Sequence, residues 1–385
     1  MHIALIVPGC FTENYGGAER QAELLARAMA AQGARVTIVA PCRLSDSAEV
    51  ETDFGVSVTM RLRDYPNFGG RRMGSTLAWT ARVFAWVRRR TDIDAVYVFH
   101  ARLHALPGLV SRMALGKPLF IKLGGGGEVG DFKALESKKG GYGRLIARLI
   151  RAHADGFVAN SREIVADLKG YGVPDDKIIE ISNGVQAPTR DVFERLQAAR
   201  TGRRFLYTGR IEPDKNVPVL VEALALCLAR GCVAELTIVG AGSDLRTVAE
   251  RASSLGIAEF VHLPGRQDDV QPYLTQNDFF LSASQAEGQS NSLLEAMAHG
   301  LIPVVAEASG VRDLVADGER GFVATTADPA ELSRLMQRVM TLPEAGRGVM
   351  AAKAHRYIAG QFGIDEVARR TLEVMSTRVA ASQND

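Results

Sequence analysis

The chain has 385 residues, 46% hydrophobic and 23% charged, with a net charge of +2 at pH 7. That length exceeds one ordinary core, so two domains are the default, and the balance is that of a soluble globular protein. No apolar run reaches the roughly 18 residues that span a bilayer, and the opening MHIALIVPG lacks the basic lead of a signal peptide and reads as a strand.

Four cysteines (Cys10, Cys42, Cys227, Cys232) make no CxxC pair and no ligand spacing with the seven histidines, which points to core thiols in a reduced, cytoplasmic setting. The charge is uneven. Residues 1–183 carry 25 Lys/Arg against 19 Asp/Glu, and 61–151 alone carry 18 against 6. One face of the first half is therefore expected to be basic, suited to an anionic surface or an anionic acceptor. No recognition module accompanies that charge, so nucleic acid is not an expected partner.

In chain order, HIALIV (2–7) is a continuous apolar run ending in Pro8-Gly9, as a buried parallel strand should be. A helix from about Ala18 to Gln32 follows, with Gly16-Gly17 at its start. Those glycines either let a phosphate or sugar approach the backbone or simply make a tight strand-to-helix turn. The units ARVTIVA, a helix near 74–90, AVYVFH, a helix near 103–115, PLFIKL, a helix near 141–153, DGFVAN and KIIEIS complete the first half. Strands alternating with helices at this spacing predict a parallel sheet covered on both faces. Ligands of such sheets bind beyond the carboxyl ends of the strands.

Two of these helices combine apolar bulk with cationic flanks. Residues 71–90 hold Trp79, Phe84 and Trp86 between arginines, and 138–151 mix Leu/Ile with Lys/Arg. Either they are packed helices with a solvated basic side, or they lie against a membrane surface. The segment 122–132, KLGGGGEVGDF, is too glycine-rich for a helix, and His100 and Glu128 are its nearest polar candidates.

ISNGV (181–185) closes the first half, and 186–203 reads as a linker. A strand, a turn bearing Arg210 and Lys215, and a helix starting near Pro218 then open the second domain. A forked guanidinium and a point ammonium on that turn suit a diphosphate. ELTIVGAGSDL (235–245) has a GxG including Gly240 but no third glycine, so NAD binding is not supported. EFVHLPGR, ending at Arg266, and DFFLSAS, LIPVV and GFVA supply further strands.

Between Leu281 and Val305 a strand end leads to Glu287, a Gly/Ser/Asn loop and an Ala-rich helix carrying Glu295, stopped by Gly300 and Pro303. The amides of Ser290, Asn291, Ser292 and Leu293 are helix-start donors at the positive end of the macrodipole, suited to a diphosphate. A carboxylate one turn further in is placed for a ribose diol.

The E-x7-E spacing around NSLLEAM, the GGAER start and the GR-x4-KN turn resemble retaining GT-B glycosyltransferases, in particular the large bacterial family 4, over nearly the whole chain. The resemblance implies an α/β fold of two Rossmann-like parallel-sheet domains facing a central cleft. Residues 1–185 would bind acceptor and 200–360 would bind donor, with the C-terminal helix 361–385 crossing back. It implies transfer of a sugar, with retention, from a UDP- or GDP-sugar to an acceptor hydroxyl, lipid-linked or anionic, in cell-surface polysaccharide or glycolipid assembly. Arg210, Lys215 and Glu287 would act on the reacting groups. Gly16, Gly17, Gly240, Arg266, Ser290, Asn291, Ser292, Leu293 and Glu295 would hold the donor. No DxD-type pair lies at a strand end, so neither metal nor cofactor is expected. In such relatives the loop matching 122–132 often carries a histidine near the donor sugar; none stands in it here. The rival readings are a nucleotide-sugar epimerase of the same architecture and a non-catalytic sugar-nucleotide-binding protein. The expected location is cytoplasmic, at the inner face of the membrane.

Overall fold

A computed structural model describes residues 1–9, 16–43, 48–64, 68–69, 72–127, 130–138, 140–285 and 289–382. The chain divides into two compact units, Met1–Gly184 with the last helix, and Val185–Gly363.

The first unit holds eight strands: β1 (His2–Ile6), β2 (Arg35–Cys42), β3 (Ala48–Thr52), β4 (Gly55–Arg61), β5 (Ala95–Phe99), β6 (Leu119–Lys122), β7 (Gly156–Ala159) and β8 (Ile178–Glu180). Their order is β3-β4-β2-β1-β5-β6-β7-β8, with every pair parallel except β3–β4. β1 and β5 are buried at every position, because helices cover both faces of the sheet. One face packs Val96, Val98, Ile121 and Phe157 under Trp79, Val83 and Ile150. The other packs Leu5, Tyr97 and Phe120 under Leu25 and Met29 of the helix Gly17–Ala31 and under Val367, Ala368 and Met375 of the helix Ile364–Ser382. Each such apolar side chain contributes about 1.5–3 kcal/mol when fully buried.

The second unit holds β9 (Arg204–Thr208), β10 (Glu235–Val239), β11 (Val261–Gly265), β12 (Phe279–Ser282), β13 (Ile302–Ala306) and β14 (Phe322–Ala324). All its pairs are parallel, in the order β11-β10-β9-β12-β13-β14. Winding reverses between β9 and β12, and that reversal opens a crevice beyond their carboxyl ends.

Three features sharpen the sequence reading. The stretch 186–203 is not a bare linker: it contains the helix Arg190–Ala198, whose Phe193 ring stacks on His355 at 4.2 Å within the second unit. β3 and β4 form an antiparallel hairpin at the sheet edge, where half-exposed residues leave no continuous apolar run to read. Trp79 is fully buried against Phe68, and Trp86 lies under the Arg90 guanidinium, so the aromatic bulk of the helix Met73–Arg89 serves its own unit first. What that helix and its neighbours Leu106–Leu115 and Tyr142–His153 expose is Leu77, Met113 and Leu145 with Arg82, Arg88, Arg144 and Arg148, and the three helices contain no acidic residue. No helix among the described residues is long and apolar enough to cross a membrane.

Candidate functional site

The site is built on the second sheet, where β9 ends in Gly209-Arg210. The Tyr207 hydroxyl donates to the Arg210 carbonyl at 2.6 Å, and the Ile211 amide donates to Ala241 at 2.9 Å, so the strand end is held from both sides. A 3₁₀ turn, Pro213–Lys215, follows, and Asn216 takes a left-handed φ of 51° to launch the helix Val217–Ala229 with Pro218 in its first turn.

Within that turn Asp214 organises two cations. Its Oδ2 lies 3.3 Å from the Arg210 guanidinium and 3.4 Å from the Lys215 ammonium. The Lys215 Nζ also donates to Ser284 Oγ at 3.4 Å, and the Gln285 amide donates to the Asp214 carbonyl at 3.1 Å. The turn after β9 is thus stitched to the loop after β12, across the crevice where winding reverses. The two cations differ in setting: the Lys215 side chain is 13% exposed, whereas that of Arg210 is 66% exposed. The Arg210–Asp214 pair is therefore worth under about 1 kcal/mol to the fold, and its guanidinium is available to a ligand.

The loop after β12 leads to the helix Asn291–Ala298. Ser290 caps it, accepting from the Leu293 amide at 3.4 Å and standing 3.1 Å from the Ser292 hydroxyl. This corrects one expectation: the Leu293 amide is engaged by its own cap and is not an open donor. Glu295 lies in the second turn and is buried, while His299 closes the helix by bonding back to the Glu295 carbonyl at 2.8 Å and meeting Gln271 at 2.8 Å. Glu287, expected to orient the sugar, lies outside the described residues.

Gly240 has a local reason to be glycine: a Cβ there would overlap the Gly209 carbonyl oxygen, and one on Gly242 would overlap the Ile211 backbone. The GAG turn is what lets β9 and β10 end side by side. Arg266 is exposed just beyond β11.

In the first unit, Gly16 stands at the start of the helix Gly17–Ala31, and its amide donates to Glu19 Oε2 at 2.9 Å. That amide is therefore used by the turn itself. Burial raises the Glu19 carboxyl above its ordinary range, with the Gly16 bond opposing.

Sequence reasoning left His100 without a role and did not see its partner, Asp131, thirty-one residues on. His100 follows β5 with a left-handed φ of 71°, a strained setting for a non-glycine residue. Its Nδ1 lies 3.2 Å from Asp131 Oδ2, which also accepts from the Gly124 amide at 2.9 Å and the Ala101 amide at 3.3 Å, while Arg102 Nε donates to Oδ1 at 2.9 Å. Asp131 is 1% exposed. Burial alone would raise its carboxyl, but His100, Arg102 and the amides outweigh that and hold it well below the usual carboxylate range. His104, bonded to the Phe99 carbonyl, is pushed down to about 4 by burial. Glu128 of the glycine-rich loop lies outside the described residues.

Residues 202–341 match the sequence family described as glycosyl transferases group 1, and residues 15–187 match glycosyltransferase family 4. The chain is 26% identical over 170 residues to the lipopolysaccharide core biosynthesis glycosyltransferase LpsE of Rhizobium meliloti, covering 44% of this chain and 48% of that one. It is 28% identical over 253 residues to a D-inositol 3-phosphate glycosyltransferase of Salinispora tropica, covering 60% and 52%. These matches span about half the length of the curated relatives. Among solved structures, Anabaena HepE in complex with UDP superposes with a TM-score of 0.74 at 18% identity, covering 98% of this chain and 100% of that one. Sucrose-phosphate synthase from Thermosynechococcus elongatus superposes with a TM-score of 0.79 at 19% identity, covering 99% of each. With both halves matched by the paired domains of one family, and both sheets wound as in those structures, the chain belongs to the GT-B glycosyltransferases of the group 1, family 4 type.

Proposed function

We propose that the protein transfers a sugar from a nucleoside diphosphate sugar to an acceptor hydroxyl, with retention of anomeric configuration, in the assembly of a surface polysaccharide or glycolipid. The observation that carries this reading is the half-hidden Lys215 ammonium, held by Asp214 and Ser284 at the crevice between β9 and β12 beside the exposed Arg210. A crevice of this kind with two cations suits a departing diphosphate. HepE, a structural neighbour, has been solved with UDP and with UDP-glucose, which favours a uridine donor over a guanosine one.

In this mechanism the bond between the anomeric carbon and the diphosphate oxygen breaks, and the acceptor oxygen bonds to the same face of the sugar. The acceptor proton passes to a phosphate oxygen. Arg210 and Lys215 stabilise the charge that develops on the leaving group, in place of a divalent ion. Glu295 holds the ribose and Glu287 orients sugar hydroxyls; positioning of this kind can lower a barrier by roughly 7–11 kcal/mol.

Calorimetric titration with UDP, GDP and ADP, followed by a donor-hydrolysis screen on the nucleotide that binds, tests the reading. Failure of all three to bind would sink it. The anomeric proton coupling of the first product reports retention or inversion directly.

The exposed Leu77, Met113 and Leu145, set among the arginines of three helices that contain no acidic residue, favour a lipid-linked acceptor reached at an anionic bilayer. Leu145→Glu with Arg148→Glu should abolish co-sedimentation with phosphatidylglycerol vesicles while leaving nucleotide affinity unchanged.

A further inference from the structure

Lys122 ends β6 on the sheet face that carries Phe120, Tyr97 and Phe99, and its residue is only 6% exposed. Among the described residues no carboxylate, hydroxyl or carbonyl meets its amine, and no neighbouring charge acts on it. Burial alone pushes its pKa down to about 7. An unpaired buried amine is costly to keep, and the fold gains nothing from it that a methionine would not supply.

A second unsatisfied group stands on the adjacent strand. Lys122 is in register with Val158 of β7, and Asn160 lies two residues further along on the same face. Asn160 is 7% exposed; its Nδ2 donates to Asn183 Oδ1 at 3.1 Å, and its own Oδ1 is buried with no partner. Two residues of strand rise are about 6.6 Å, so the two side chains leave the sheet one pleat apart on neighbouring strands. Gln21, by contrast, exchanges two bonds with the Gly184 backbone, at 2.9 and 3.0 Å. The carboxyl ends of β6 and β7 thus carry, on one face of adjacent strands, one donor and one acceptor that have no partner among the described residues. A hydroxyl pair, each member of which can both give and take a hydrogen bond, complements them.

We propose that Lys122 and Asn160 form a subsite for a vicinal diol of a sugar, the amine donating to one hydroxyl and the amide oxygen accepting from the other. The proposal rests on the sugar-transfer reading above, and the diol is the acceptor's.

The test uses the full chain with Lys122→Met, Lys122→Gln and Asn160→Ala. Readouts are UDP or GDP affinity, Tm, donor hydrolysis with water as acceptor, and transfer to a panel of p-nitrophenyl glycosides. Lys122→Met should keep nucleotide affinity within twofold and raise Tm, yet lower kcat/KM at least tenfold, with Asn160→Ala following in the same step. Unchanged hydrolysis with a raised acceptor KM is the expected result, and a fall in hydrolysis with water as acceptor would overturn the assignment. Hydrolysis and transfer both within twofold of wild type would overturn the subsite, and so would activity lost only in step with a lowered Tm. Absence of nucleotide binding by the wild-type chain would instead count against the broader reading.

Discussion

The imidazole of His100 stands over Gly124, filling the space that a side chain at that position would need. A Cβ built on Gly124 would fall inside the ring, which cannot easily withdraw because Asp131 holds its Nδ1. Gly124→Ala should therefore destabilise the protein by about 1–3 kcal/mol, the usual cost of overpacking. Urea unfolding checks it, and a midpoint within error of wild type would show that the ring is free to move.

Asp131→Asn should cost about 3–5 kcal/mol at neutral pH, because it strips the charge from a buried carboxylate that His100, Arg102 and two amides share. The folded pKa lies below the unfolded one, so the carboxylate's contribution is present above the unfolded pKa of about 3.9 and is lost as pH falls below it toward the folded value. The gap in stability between wild type and Asp131→Asn should hold from pH 7 to 5 and narrow below pH 4. A gap independent of pH would mean that shape, not charge, holds the loop.

At the crevice of the second sheet, Lys215→Ala should lower kcat at least tenfold, because it removes a confined ammonium, 13% exposed, and leaves the 66% exposed Arg210. Glu295→Ala should raise the donor KM with less effect on kcat, as expected for a residue that binds the nucleotide equally in ground and transition states. Wild-type kinetics for both variants would mean that the site is misassigned.

With two cations assigned to the leaving diphosphate, turnover should survive chelation. Assays in excess EDTA, with and without added Mg²⁺ or Mn²⁺, should agree within twofold. A strict requirement for either ion would remove Arg210 and Lys215 from their proposed role.

The buried Lys122 makes a separate statement about pH. Its folded pKa of about 7 is depressed below the unfolded value near 10.4, so the folded state binds fewer protons between those limits. Its penalty is full below pH 7 and fades as pH rises, giving up to about 1.4 kcal/mol of added stability per pH unit in that window. Lys122→Met should be the more stable protein at pH 7 and should lose its advantage by pH 10. Parallel stability curves for the two proteins would refute the depressed pKa.

Much of the fold was legible because buried parallel strands are continuous apolar runs, and HIALI, AVYVF and FFLS could be little else. The β3–β4 hairpin was not, since AEVET at a sheet edge carries no core pattern. The helix Arg190–Ala198 hid in a polar stretch, and Phe193 is its one buried residue. Arg210 and Lys215 were readable because one short turn carries both. Ser284 and Asp131 were not: each acts through a contact that the chain makes only after folding, sixty-nine residues from Lys215 and thirty-one from His100. The aromatic helix stayed open between a packed and a membrane-facing reading, because sequence spacing does not say which side of Trp79 meets the sheet.

The helix Ile364–Ser382 completes the core of the first unit, while Val185 and Gly363 pair as neighbours at the two ends of the second. Topologically, the second unit is an insertion into the first. On the ribosome the later-synthesised unit can close before the earlier one is whole, and the earlier one must wait, its apolar face uncovered, for the last turns of chain to emerge. Excised at its adjoining ends, segment 185–363 should fold alone; segment 1–184 should not.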